Sequence, residues 1–146
     1  MSDKHAFGLL NPNPSTGGDA VSVPFMLLGS KLVSLHISIM KGVIVIVAYR
    51  PKPGREKELL ELVRNRVPTL RKENLVTDRE PTIMRARDGT IVEVSEWKSR
   101  EAIDAAHKNP NVLAMWNKFF AICDCVPLNT LAEAKEMFAG FEPIAD

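Results

Sequence analysis

Residues 43–49 read VIVIVAY, seven apolar residues in a row, five of them β-branched. The run is too short for a buried helix and is closed by Arg50-Pro51-Lys52-Pro53-Gly54. It therefore reads as a β-strand with no polar face. A strand of this kind is buried on both sides, so something must cover each face of the sheet it belongs to.

Working outward, residues 54–75 (GREKELLELVRNRVPTLRKENL) change period. Leu59, Leu62, Val63, Val67 and Leu70 fall on one side of a helix, with charges elsewhere. Glu56 and Glu58 suit the positive N-terminal end of the helix dipole. Pro68 is expected to kink or end the first segment. Residues 82–97 (TIMRARDGTIVEVSEW) then form a hairpin, because Asp88-Gly89 supplies a favoured two-residue turn. With that turn Arg87 faces Thr90, Arg85 faces Val92 and Ile83 faces Val94. One face carries Ile83, Arg85, Arg87, Val92, Val94 and Glu96, and the other Met84, Ala86, Ile91, Glu93, Ser95 and Trp97. A slip of one residue would exchange these sets.

Ser99 is a suitable N-cap for a short helix through Ala102, Ile103 and Ala106. Asn109-Pro110 is a cap followed by proline at the first helical position. The next helix presents Val112, Leu113, Trp116, Phe119, Phe120 and Cys123 as an apolar stripe. Residues 125–129 (CVPLN) form a short last strand, which Pro127 confines to an edge or an end. Thr130 and Glu133 have capping-box spacing for a terminal helix that stops at Gly140. The order is β-α-β-β-α-β, the ferredoxin-like order. Such a sheet carries helices on one face only. The simplest cover for the other is a second copy of the chain, giving a homodimeric α/β barrel.

The chain has 146 residues, 45% of them hydrophobic and 25% charged, enough for one ordinary domain. Nineteen basic residues against eighteen acidic ones leave a net charge of +1. That gives no electrostatic reason to expect nucleic acid or an anionic membrane as a partner. No apolar run approaches the roughly 18 residues of a spanning helix. Cys123 and Cys125 are the only cysteines. They are short of the four ligands of a structural zinc site and read as reduced thiols of a cytoplasmic protein. Residues 1–40 differ from the rest. They hold the turn-forming cluster NPNPSTGGD, one or two optional strands around Gly29-Ser30, and His36. They read as an extension without its own core, ahead of a domain over 41–146. Met40-Lys41 has the look of a translation start.

The segment EVSEWKSREAIDAAH, preceded by VIVIVAYRPKPGREKELLELV and followed by VPL, resembles the antibiotic biosynthesis monooxygenase superfamily over about Lys41 to Leu128. The resemblance implies a small dimeric α+β barrel. It also implies oxidation of a phenol- or quinol-type aromatic by dioxygen without an added cofactor or metal. An electron-rich phenolate supplies the electrons itself; the protein buries the ring, removes a proton and holds the anion. A non-catalytic dimeric binding protein of the same fold is the other reading. A haem-degrading branch of the family places an asparagine, a tryptophan and a histidine where this chain has Val47, Ala106 and Trp116, so haem chemistry is not expected. On the phenol-oxidising reading His107 and Glu93 are the candidate bases. Trp97, Arg85 and Tyr49 are the candidate pocket residues. Trp116 reads as core.

Overall fold

The computed structural model describes residues 42–145, together with the backbone of two short strands ahead of them. Those strands, β1 (Met26–Leu28) and β2 (Lys31–Val33), pair antiparallel as a hairpin and belong to a small unit of their own. The other readings made on the N-terminal 41 residues, His36 and Met40 among them, lie outside the described residues, as does Asp146.

The main unit is α+β and ferredoxin-like. Its elements are β3 (Val43–Pro51), α1 (Glu56–Lys72), β4 (Thr82–Arg85), β5 (Ile91–Trp97), α2 (Arg100–Ala106), α3 (Pro110–Ile122), β6 (Cys123–Val126) and β7 (Glu142–Pro143). The five strands form one sheet in the order β6-β3-β5-β4-β7, with every neighbouring pair antiparallel. No helix among the described residues is long and apolar enough to cross a membrane.

The three helices cover one face. Leu59, Val63, Val67 and Leu70 of α1, Ile103 and Ala106 of α2, and Val112, Met115, Trp116, Phe119 and Ile122 of α3 pack on Tyr49, Ile91 and Trp97 of the sheet. Both caps read from the sequence are made. The Ser99 side chain accepts from Ala102 N at 3.0 Å, and the Asn109 side chain accepts from Asn111 N and Val112 N. The Asn109 and Asn111 amides also donate to the two oxygens of Glu73, at 2.9 and 2.7 Å, tying the end of α1 to the start of α3. These bonds hold the Glu73 carboxyl below the usual carboxylate range.

Four expectations need correction. Of the two outcomes expected at Pro68, a kink or an end, the end is overturned: α1 runs through it to Lys72 at the cost of one backbone bond. Leu113, placed on the apolar stripe, is 41% exposed, whereas Met115 and Ile122 are buried instead.

The hairpin is one residue out of the expected register: Arg85 pairs with Ile91 and Ile83 with Glu93. The loop has three residues, not two. Ala86 N donates to Thr90 O, and Gly89 N donates to Ala86 O, closing a turn over Ala86–Gly89. Gly89 then takes φ +89°, the left-handed residue of the three-residue hairpin with a bulge. The slip puts Ile83 and Arg85 on the face of Ile91, Glu93, Ser95 and Trp97, toward the helices.

The fourth correction is at the C-terminus. No helix forms over 130–140; there are single 3-10 turns at Leu128–Thr130 and Glu133–Lys135. Other partners take both capping side chains, a local one for Thr130 and a tertiary one for Glu133. Thr130 Oγ1 donates to Pro127 O at 2.7 Å. Glu133, 2% exposed, accepts from Arg87 N at 2.8 Å. The segment lies across the helix-free face of the sheet, where Leu131 packs with Ala48, Ala86 and Val92. It ends in β7, which adds a strand beside β4 that the sequence reading lacks. Part of the second face is thus covered by the chain itself. Ile44 and Ile46 on the same face remain 50% and 48% exposed.

Candidate functional site

The site is set by where two strands part. β6 pairs with β3 only from Ala48 to Pro51, so Val43 to Val47 have no strand on that side among the described residues. A cavity of about 390 Å³ opens there, between the sheet and the helices. Its floor is Val45 and Val47 of β3 and Trp97 of β5. Ile103 of α2, His107 at its C-cap and Trp116 of α3 form the opposite wall, and Arg66 of α1 also lines the cavity. Cys125 to Leu128 line the side next to β6. The wall is mostly apolar with a few convergent polar groups, as small-molecule sites usually are.

His107 is the C-cap of α2 and is half-buried. Its ring meets Trp116 edge-on, with centroids 5.0 Å apart and planes at 61°. An edge contact of this kind favours that placement of the imidazole against the wall.

Behind the cavity wall lies a sealed polar cluster. Arg66 Nη1 donates to Glu93 Oε1 at 2.7 Å and to Ser95 Oγ at 3.3 Å, and its guanidinium stands 5.7 Å over the Trp97 ring. Tyr49 Oη donates to the same Glu93 oxygen at 3.3 Å. Glu93 and Tyr49 are 0% exposed and Arg66 is 3% exposed. Burial pushes the Glu93 carboxyl above the usual carboxylate range, although Arg66 and Tyr49 pull it down. Burial also pushes the Tyr49 hydroxyl well above the ordinary phenol value, and the charge of Arg66 does not offset it. For Arg66 burial works against the charge, but Tyr49 and Glu93 outweigh it and hold the guanidinium more firmly protonated. Residues two apart on a strand share a face. The Cys125 thiol, on the face of Cys123, is pushed up chiefly by a hydrogen bond with Cys123 and then by burial.

Of the residues singled out from the sequence, Trp97 and His107 meet at the cavity. Glu93 and Tyr49 come together directly behind it, in the cluster around Arg66. Arg85 stands half-buried on β4 opposite Ile91 and does not line the cavity. Trp116, read as core, is both core and cavity wall. Arg66 is the residue the sequence reading lacked. A signal was present: Arg66 lies three residues after Val63 and four before Leu70, on the apolar stripe itself. A charge at that spacing must find a buried partner.

The structure of Rv0793 from Mycobacterium tuberculosis matches 60% of this chain and 87% of its own length, at 23% identity and a TM-score of 0.48. No curated protein matches the chain. The family model for antibiotic biosynthesis monooxygenase matches residues 42–118, more than half of the sequence. The chain belongs to the antibiotic biosynthesis monooxygenase family.

Proposed function

We propose that the protein is an oxygenase for a small quinol- or phenol-type aromatic, working without an added cofactor as a cytoplasmic homodimer. The observation that supports this most directly is the 390 Å³ cavity with two tryptophans and one imidazole on its wall. The tryptophans sandwich or flank a ring; stacking contributes about 0.5–1.5 kcal/mol beyond area burial. The imidazole of His107 takes a proton from a ring hydroxyl, and the resulting anion reduces dioxygen. For a hydroquinone the balance closes with dioxygen as the oxidant. One oxygen atom enters the ring, the other leaves as water, and the ring supplies four electrons to become a hydroxyquinone. Glu93 is sealed behind Arg66, so the first proton acceptor in this reading is His107 and not Glu93.

The test is oxygen consumption over a panel of quinols, with a chelator present and autoxidation subtracted. Uptake above the protein-free control is expected. His107→Ala is expected to lower the rate by about 10²–10⁴-fold, the usual span for a general base, while the melting transition is kept. No uptake above the control would turn the assignment to the non-catalytic binding protein of the same fold. Uptake unchanged in His107→Ala would keep the activity and remove the base.

We also propose residues 41–146 as the working domain and residues 1–40 as a dispensable extension. A chain shortened to begin at Met40 is expected to melt cooperatively, within a few degrees of the full chain. Loss of the cooperative transition would place the extension in the core.

A further inference from the structure

The cavity reaches a strand edge that nothing pairs among the described residues. In an antiparallel sheet each residue points its N–H and C=O to one side, and its chain neighbours point theirs to the other. Glu96 O accepts from Thr77 N at 3.1 Å, and Thr90 O accepts from Ala86 N at 2.9 Å. Glu96, Val94 and Val92 therefore point away from β3. Their partners across the ladder are Ile44, Ile46 and Ala48, which in turn point away from β5, to the side of β6. Lys52 N, which donates to Ile122 O at 2.8 Å, continues the same alternation. Ala48 pairs with Val126, the last residue of β6, and Pro127 has no N–H to extend the ladder. Ile46 comes next. Its N–H and C=O have no backbone partner among the described residues. Ile46 lines the cavity although its side chain lies on the helix-free face, which sets its backbone edge at the cavity. An unpaired edge of this kind is a template for a further hydrogen-bonding partner.

We propose that the β3 edge at Ile46 is a subsite for an aromatic ring that carries two neighbouring hydroxyls, as a catechol does. In a longer sheet this N–H and C=O would meet one residue of a further strand. That residue carries its donor nitrogen and its acceptor oxygen on adjacent carbons. A ring 1,2-diol has the same layout. One hydroxyl donates to Ile46 C=O, and the oxygen of the other accepts from Ile46 N–H. Hydroxyls on distant carbons reach only one of the two groups, and a diether has no hydrogen for the carbonyl. The inference rests on the oxygenase reading for the aromatic nature of the ligand, and narrows its quinol to the 1,2 pattern. The edge positions the ring, and His107 remains the proton acceptor.

The test is equilibrium dialysis of the full chain, under argon, against 2,3-dihydroxynaphthalene, its 2,7 isomer and 2,3-dimethoxynaphthalene. Hydrogen exchange of the Ile46 amide is followed by NMR in the same mixtures. The wild type is expected to bind the 2,3-diol about 10-fold or more tightly than either of the others, the worth of a pair of hydrogen bonds. The 2,3-diol is expected to slow exchange at Ile46, and the 2,7-diol to leave it unchanged. Ile46→Pro removes that N–H without costing the sheet a bond, because proline is tolerated on an edge strand where the N–H faces outward. It is expected to bring the affinities of the two diols together. If Ile46→Pro does not fold, the exchange measurement on the wild type decides. Equal binding of the two diols by the wild type would overturn the subsite, as would an unchanged preference in a folded Ile46→Pro. An Ile46 amide already protected in the free protein would also overturn it, and would assign the edge to another strand, of the same chain or of a second copy. Binding is read here without turnover, so the two proposals fail separately. The 2,3-diol preference without quinol-dependent oxygen uptake keeps the subsite and removes the oxygenase. Uptake without the preference does the reverse.

Discussion

Arg66→Met is expected to lower the free energy of unfolding by about 3–5 kcal/mol, and Glu93→Leu by a similar amount. Each substitution leaves one charge sealed in the interior without its partner; Glu93 is 0% and Arg66 3% exposed, and they meet at 2.7 Å. The double replacement Arg66→Met with Glu93→Leu is expected to recover most of the loss, because two apolar side chains of similar length avoid the desolvation of both ions. Urea unfolding of the four chains gives the cycle directly. Single variants within about 1 kcal/mol of the wild type would mean that water reaches the pair. Losses that simply add in the double variant would mean that the two side chains act independently.

That pair also marks the limit of what the sequence discloses. VIVIVAY at 43–49, the stripe of α1, and the caps at Ser99 and Asn109 rest on local chemistry, and local chemistry decided them. Periodicity places Glu93 mid-strand but does not name its partner, which is 27 residues away on a helix. The hairpin register turned on whether Gly89 completes a two-residue or a three-residue loop. Both loops use glycine at positive φ, so Asp88-Gly89 alone does not choose between them. The structure chose the longer one, and with it moved Ile83 and Arg85 onto the helix side. At the C-terminus the capping-box spacing of Thr130 and Glu133 was real, but the same Glu133 also suits the unpaired Arg87 N–H of the hairpin loop. A buried carboxylate bonded to backbone outweighs a helix turn worth a few tenths of a kcal/mol per residue. Trp97 and His107 were legible as candidates because strand end and helix end are local features. Their meeting in one cavity depends on β6 stopping at Val126, which no local pattern around them signals.

Ile46→Asp is expected to convert a dimer into a folded monomer. Ile44 and Ile46 are adjacent on the helix-free face, each about half exposed, while Ala48, Ala86 and Val92 on that face are covered by Leu131 and its neighbours. Two half-exposed isoleucines per chain become four in a two-fold interface, so any change there acts twice. A carboxylate placed in that contact without a partner costs several kcal/mol per protomer. Weakening by at least about 10³-fold in the dissociation constant follows. The protomer itself should survive, because Ile46 takes no part in the helix-side core. Val45→Asp is the contrast. Its side chain lies on the helix side, packed against the core and lining the cavity, so the charge is expected to destabilise the protomer and block the cavity together. Sedimentation velocity at micromolar concentration, with a thermal melt of each variant, separates the two effects. A wild-type chain that sediments as a stable monomer would remove the dimer. Unfolding of Ile46→Asp alongside Val45→Asp would mean that the face of Ile44 and Ile46 belongs to the core of the protomer, and that the C-terminal segment already supplies all the cover this sheet requires.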